Sequence, residues 1–296
     1  MKNILIIGAN GFTGRRILND LSVNPIYHVT GCSLRDDICP GKDYRFVRTD
    51  IRDENEVRKL FKECRPDIVI NTSALSVPDY CETHHAEAEA TNVTAVETIA
   101  HVCEQYGRRF IHLSTDFVFD GKSTRLYKEE DEAIPVNYYG VTKLKAEKII
   151  ASICSNYAIV RVVVVYGKAL PGQHGNILQL VANRLRNGET IRVVSDQWRT
   201  PTFVGDISVG VEKLMFHTAN GIYHICGSEC LTIAEIAYRV ADFLKLDRSL
   251  IEPVTTEEMK EVTPRPRFSG LSIEKAKAEI GYTPRTLEEG MEASLF

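Results

Sequence analysis

Six short apolar runs punctuate the first 167 residues of this chain, and the stretches between them keep a different rhythm. The runs are "NILIIG" (3–8), "YHVTGCS" (27–33), "RFVRTD" (45–50), "DIVINTSA" (67–74), "RFIHLST" (109–115) and "AIVRVVVVYG" (158–167). Between them, segments such as "DENEVRKLFKEC" (53–64) and "EAEATNVTAVETIAHVCEQYG" (87–107) repeat apolar residues at helical spacing. A strand that is apolar throughout must be covered on both faces, and helices between successive strands supply the cover. The pattern predicts an α/β fold around a doubly wound parallel sheet.

After Gly167 the rhythm breaks. The patterns predict a helix at 176–187, a strand at 190–194, a loop "SDQWRTPTF" (195–203), a helix near 206–217 and a strand at 221–226. Helices near 232–244, 272–280 and 286–295 follow, with a proline-bearing connector "TPRPRF" (263–268) between the first two. We expect a Rossmann-type dinucleotide-binding domain over 1–166, to which the chain returns near 203–226. A smaller mixed α/β substrate-binding lobe would occupy 167–296.

Function classes fall away on composition. A net charge of -4 gives no concentrated basic face, so neither nucleic acid nor a membrane surface is an expected partner. No apolar run reaches the ~18 residues of a membrane span, and the chain enters a strand without a signal peptide, so a cytoplasmic location is expected. The eight cysteines (32, 39, 64, 81, 103, 154, 226 and 230) contain no C-x-x-C pair. They read as small buried hydrophobes in a reducing compartment, with neither disulfides nor a metal site.

"GANGFTG" (8–14) joins the first strand to the first helix. Gly8 permits the tight turn, Gly11 lets backbone approach a pyrophosphate, and Gly14 allows close helix–strand packing. The helix N-terminus adds free N–H groups and partial positive charge. Asp50, ending the third strand, could accept from an adenine amino group, and on its own reads equally as the N-cap of the next helix. "NTSA" (71–74) ends the fourth strand at the crevice where such sheets hold ligands.

"HLSTDFVFDG" (112–121) ends the fifth strand at the same edge, and "NYYGVTKLKAEK" (137–148) follows it. On a helix, Tyr139 and Lys143 share a face, whereas Tyr138, five residues from Lys143, points elsewhere. A carbonyl receiving hydride needs a proton on its oxygen. Tyr139 can donate one if a nearby Lys143 ammonium draws its pKa down, and the Thr115 hydroxyl can polarise the same oxygen. Tyr138 reads as a packing residue. On the stiff 263–268 segment, Arg265 and Arg267 offer guanidinium forks to a diphosphate.

With these motifs together, the chain resembles the extended short-chain dehydrogenase/reductases. "SDQWRTPTFVGDIS" (195–208) and "RPRFSGLSIEK" (265–275) narrow the likeness to the dTDP-4-dehydrorhamnose reductase branch. The resemblance implies Thr115, Tyr139 and Lys143 as the catalytic set. It implies a coenzyme touching Gly8, Asn10, Gly11, Phe12 and Gly14, with Arg35, Asp50, Ile51, Ser73 and Ala74 further along and Tyr139 and Lys143 at the reacting end. Arg161, Gln197, Arg199 and Thr202 would shape a sugar-nucleotide pocket, and a homodimer is compatible with the branch.

The second strand bears on the coenzyme. It runs out at Ser33, followed by Leu34 and Arg35, where NAD-preferring sites carry an acidic residue. Asp36 and Asp37 come too late and read as part of a surface loop, 36–42. Ser33 leaves room for a 2′-phosphate and Arg35 could pair with it, with Arg15 or Arg16 closing from the helix. NADP(H) is therefore the expected coenzyme, with NAD(H) usable.

The chain departs from the branch at Phe12-Thr13, at Arg199 where glycine is usual, and at "VPDYCE" (77–82). These changes leave the sugar open and bring the chain nearer to the regulatory subunit of methionine adenosyltransferase, a coenzyme-binding partner protein. Besides a reductase of a 4-keto-6-deoxy sugar nucleotide, an epimerase or dehydratase and a non-catalytic subunit are thus on the table. A dehydratase wants two acidic residues after the threonine, and Asp116 is followed by Phe117.

Overall fold

Strand by strand, the first half of the chain lays down a sheet in a computed structural model that describes residues 1–41, 43–173 and 175–294. In order come β1 (Lys2–Ile7), α1 (Phe12–Ser22), β2 (Tyr27–Ser33), β3 (Arg45–Arg48), α2 (Glu54–Cys64) and β4 (Ile68–Asn71). Then follow α3 (Pro78–Thr83), α4 (His85–Glu89), a π-helical turn (Ala90–Thr94), α5 (Ala95–Gln105), β5 (Arg109–Thr115), α6 (Tyr138–Ile153) and β6 (Tyr157–Val162). The second half holds β7 (Val165–Tyr166), α7 (Ile177–Arg186), β8 (Ile191–Val194), β9 (Trp198–Arg199), β10 (Thr202–Phe203), α8 (Val204–Phe216) and β11 (Gly221–His224). It closes with β12 (Leu231–Thr232), α9 (Ile233–Leu244), β13 (Ile251–Val254), α10 (Thr256–Met259), α11 (Glu274–Ile280) and α12 (Leu287–Ser294). Lys42, His174, Leu295 and Phe296, which fall inside expected segments, lie outside the described residues.

Among the described residues, seven strands form one parallel sheet in the order β11-β6-β5-β4-β1-β2-β3. Winding runs one way from β1 to β3 and the other way from β4 outward. The reversal between β1 and β4 opens a crevice at the carboxyl ends of the strands. Alternation along β1 shows why both faces are apolar. Ile4 and Ile6 join Ile17, Leu18 and Val211 in one core, while Leu5 and Ile7 join Leu60, Ile99 and Ile150 in the other. Strand β11 reaches the sheet edge beside β6, and α8 packs against α1.

The smaller lobe has its own core, built from α7, α9, β8 and β13. Its segment 263–273 then crosses back over the end of β5, where Phe268 N donates to Gly121 O at 3.2 Å and Ser272 N donates to Tyr127 O at 2.8 Å.

Three boundaries differ from the sequence expectation. The helix expected over 87–107 is interrupted by the π-helical turn, within which the buried Asn92 side chain bonds the Leu75 backbone and Thr142 Oγ1. The strand expected over 158–167 breaks at Val164, whose φ of 37° is an uncommon conformation for a β-branched residue, and β7 pairs with β10 instead. The N-cap of α2 is Asp53, which accepts from Asn55 N and Glu56 N; Asp50 does not fill that role.

Candidate active site

At the reversal point lies a cleft of about 960 Å³. Its floor is the glycine loop. Gly8 has φ 82°, and a Cβ on it would come 2.7 Å from Ser73 N; a Cβ on Gly14 would come 2.3 Å from Gly8 O. No larger residue fits either position, so β1, α1 and the β4 loop close on one another. α1 has no side-chain cap and no acidic residue in its first turn. Its N–H groups are thus left for an anion, which fits a dinucleotide pyrophosphate.

Asn10, Gly11, Phe12, Asp50, Ile51, Ser73 and Ala74 all line this cleft, as do Ser33 and Leu34. Asp50 holds the Arg52 guanidinium through two oxygens, with Arg52 Nη2 at 2.7 Å, and both residues stand at the wall. Arg35 is exposed and does not line it. Arg15 and Arg16, the helix-side candidates for a 2′-phosphate, do not line it either and are engaged with protein partners. Arg15 is buried and committed to Asp37, the Tyr44 hydroxyl, Cys39 O and Asn10 Oδ1. Arg16 pairs with Asp20 and lies over the Phe203 ring. Asn10 also donates to the Arg35 and Asp36 carbonyls, so the 35–39 loop is tied to the glycine loop.

α6 brings Tyr139 and Lys143 to the cleft on one face. Gly140 makes the approach possible: a Cβ there would lie 2.1 Å from Phe117 O. The Thr115 hydroxyl lies near enough to the Tyr139 phenol to act on it. Thr115 Oγ1 donates to Asp116 Oδ1 at 3.1 Å and accepts from Phe117 N. Tyr138 turns outward, stacks on His85 with centroids 3.7 Å apart and donates to Glu89.

The electrostatics correct one expectation. Lys143 does not draw the tyrosine down. Burial pushes the Tyr139 phenol well above its ordinary value, and the Asp116 charge adds to the rise although Thr115 opposes it. Burial draws Lys143 itself down to about 8, with Glu147 opposing. Lys143 Nζ is occupied by His112 Nε2 at 2.9 Å and Leu113 O at 2.7 Å.

Several residues expected at a sugar-nucleotide pocket are spent elsewhere. Arg161 is 2% exposed and forms a two-bond pair with Glu147, which also accepts from Ser114. Arg199 is buried too, donating to Pro266 O, Trp198 O and Gln197 Oε1 with Asp116 3.8 Å away. Gln197 donates to Glu261, and Thr202 donates to Val163 O. Of these side chains Arg199 braces the 263–269 crossing. Arg267 is exposed and paired with Glu257. Arg265 alone of this group lines the cleft.

The structure adds residues that the motifs did not single out. Asn71 and His112 underlie Lys143, and Asp116 accepts from Ser269 of the crossing segment. Gln173 reaches over to Asn10 O at 3.0 Å. His112 and Asn71 open the quoted motifs "HLST" and "NTSA", the one signal that could have found them. Among the described residues no cluster of His, Cys, Asp or Glu is arranged as metal ligands, and no helix is long and apolar enough to cross a membrane.

Comparison with known proteins places the chain in a family. The family described as RmlD substrate binding domain matches residues 1–295. A probable low-salt glycan biosynthesis reductase, Agl14, of Haloferax volcanii is 30% identical over 97% of this chain and 95% of its own. Methionine adenosyltransferase 2 subunit beta of Xenopus laevis is 31% identical over 96% of this chain and 84% of its own. The crystal structure of dTDP-4-dehydrorhamnose reductase from Bacillus anthracis in complex with NADP superposes with a TM-score of 0.87 at 27% identity, covering 99% of each chain.

Proposed function

Because the chain belongs to the RmlD substrate-binding domain family, we propose that it is an NAD(P)H-dependent reductase of a 4-keto-6-deoxy sugar nucleotide, of the short-chain dehydrogenase/reductase type and acting in dTDP-rhamnose-like biosynthesis. The observation that carries this reading is the meeting of Tyr139 and Lys143 at the wall of a cleft floored by an uncapped glycine loop, with Thr115 near the phenol. NADP(H), with NAD(H) as a usable substitute, supplies the hydride. The chain's own residues do the rest. Tyr139 keeps its proton until a carbonyl oxygen draws it, Thr115 orients that oxygen, and Lys143 stands behind them. Residues 1–166 with 203–226 would hold the coenzyme, and the remainder of 167–296 the sugar nucleotide.

The test is NADPH oxidation followed spectrophotometrically against a panel of 4-keto sugar nucleotides. Turnover on at least one supports the reading. The likeness to the Xenopus subunit favours a second reading, a coenzyme-holding partner protein. Tight coenzyme binding with no turnover on any member of the panel would replace the first reading by the second.

Two further results are expected. Ser33 lines the cleft without a carboxylate to repel a 2′-phosphate, so NADPH should bind more tightly than NADH. Arg35 stands next to Ser33 and Leu34 with its side chain exposed and can turn onto a 2′-phosphate, so Arg35→Ala should narrow that preference by about tenfold or more, the worth of a hydrogen bond to a charged group. Titrations with both coenzymes check this, and tighter NADH binding by the wild type would sink it. On the sugar side, Arg265→Ala should raise KM by about tenfold without changing coenzyme affinity, as for one lost charge-assisted contact. Arg267→Ala should change neither, because its guanidinium is engaged at the surface. An unmoved KM in Arg265→Ala would remove that residue from the pocket.

A further inference from the structure

Where the 263–273 segment crosses from the smaller lobe, it is fastened to both elements that carry the reacting groups. At the end of β5, Ser269 donates to Asp116, the residue after Thr115. At the start of α6, Asn137 Nδ2 donates to Pro264 O at 2.9 Å. Between these ties the segment runs against Gly121, where a Cβ would come 2.6 Å from Pro266 Cα. On the lobe side, Arg199 donates to Pro266 O and Trp198 N donates to Arg267 O at 2.7 Å. The residue of this segment that lines the cleft is Arg265, next to the Asn137 tie.

Backbone partners fix both ends of the buried Asn137 carboxamide. Its Oδ1 accepts from Gly140 N at 2.9 Å, an N–H that can only donate; Nδ2 therefore faces the Pro264 carbonyl, which can only accept. The first bond is the N-cap of α6, a role that asparagine, aspartate and serine fill about equally. The second adds nothing to the helix and joins residues 127 positions apart. It needs a donor with the reach of a carboxamide: a serine hydroxyl is too short, and an ionised carboxylate has no hydrogen to give. Tyr139 follows two residues after this cap, and Gly140 seats the same turn against Phe117 O. A displacement of Asn137 is therefore passed to the phenol.

We propose that Asn137 is a positioning residue that couples the grip of Arg265 on a nucleoside diphosphate to the placing of Tyr139. The proposal rests on the reductase reading for its substrate. A diphosphate held by Arg265 fixes the 264–265 backbone, Pro264 O holds Asn137 Nδ2, and the cap carries that constraint into the first turn of α6. Contacts made far from the reacting carbonyl then contribute to kcat as well as to KM.

The experiment compares Asn137→Ser, Arg265→Ala and the double variant on one 4-keto sugar nucleotide. Asn137→Ser keeps the cap, so its Tm and its affinity for NADPH should match the wild type. Its kcat should fall by about tenfold, as for a reacting group displaced by a fraction of an ångström, and kcat of Arg265→Ala should fall likewise. With Arg265 already removed, Asn137→Ser should cost less than about threefold more, because the constraint it would relay is gone. Asn137→Asp also keeps the cap and should repeat these results, which covers the case in which the serine variant does not fold. Losses that multiply independently in the double variant, or that come with weaker NADPH binding and a lower Tm, would overturn the proposal in favour of a helix cap alone. A second readout needs no turnover. In protein labelled with 3-fluorotyrosine, adding dTDP should shift the Tyr139 ¹⁹F resonance in the wild type and not in Asn137→Ser. Fluorescence of Trp198, the single tryptophan and a backbone partner of the crossing segment, should report dTDP binding in both. A Tyr139 resonance that follows dTDP equally in both proteins, or ignores it in the wild type, would overturn the proposal. A protein inactive on every sugar that still shows the shift keeps the coupling and loses the reductase reading.

Discussion

Tyr139→Phe is expected to lower kcat by roughly two to four orders of magnitude, the range for loss of a general acid. The change deletes one oxygen. The ring keeps its edge contact with Phe117, 5.9 Å between centroids, so thermal stability should hardly move. Tyr138→Phe is the internal control. Its hydroxyl serves Glu89 at the helix surface and its ring stacks on His85, so turnover should stay within a few-fold. Equal losses of kcat at the two positions, measured on one substrate, would mean that neither phenol is the acid.

Glu147→Ala should cost about 3–5 kcal/mol of stability, because it strands a buried guanidinium. Arg161 Nη2 lies 2.6 Å from Glu147 Oε2, Arg161 Nε lies 3.0 Å from Oε1, and the Arg161 guanidinium, 2% exposed, sits over the Phe119 ring. The double change Glu147→Leu with Arg161→Met should recover most of the loss, since two well-packed apolar side chains often equal a buried pair. Urea unfolding of the three proteins reads this directly. A loss in Glu147→Ala of under about 1 kcal/mol, the scale of an exposed pair, would show that the site does not depend on the pair. The recovered double variant should still be impaired in turnover, because Ser114 loses its acceptor beside Lys143.

What could be read from the chain was what depends on neighbours in sequence. Gly8, Gly11 and Gly14 belong to one turn, and Tyr139 and Lys143 to one helix face; the periods of helix and strand suffice to place them. Arg161 shows the opposite case. Strand β6 is covered on both faces, so alternation marks no side as the pocket, and only tertiary packing reveals that its guanidinium meets Glu147. The bonds of Arg199 and Gln197 were hidden for the same reason, their partners Pro266 and Glu261 lying more than sixty residues away. The direction of the Tyr139 shift was hidden as well. It follows from how deeply the phenol is enclosed, and local pattern carries no measure of depth.

The placement of β11 also sets a timetable for the nascent chain. When residue 162 leaves the ribosome, six of the seven strands exist, and β6 carries an outer edge of unpaired N–H and C=O groups from Tyr157 to Val162. Its partner, Gly221–His224, is not yet made, and β7, α7, β8, β9, β10 and α8 must be synthesised first. At translation speeds of roughly 5–20 residues per second that interval lasts seconds, long beside the folding of a small domain. For that time the sheet has an adhesive border, and closing it couples the first half's folding to the birth of the second.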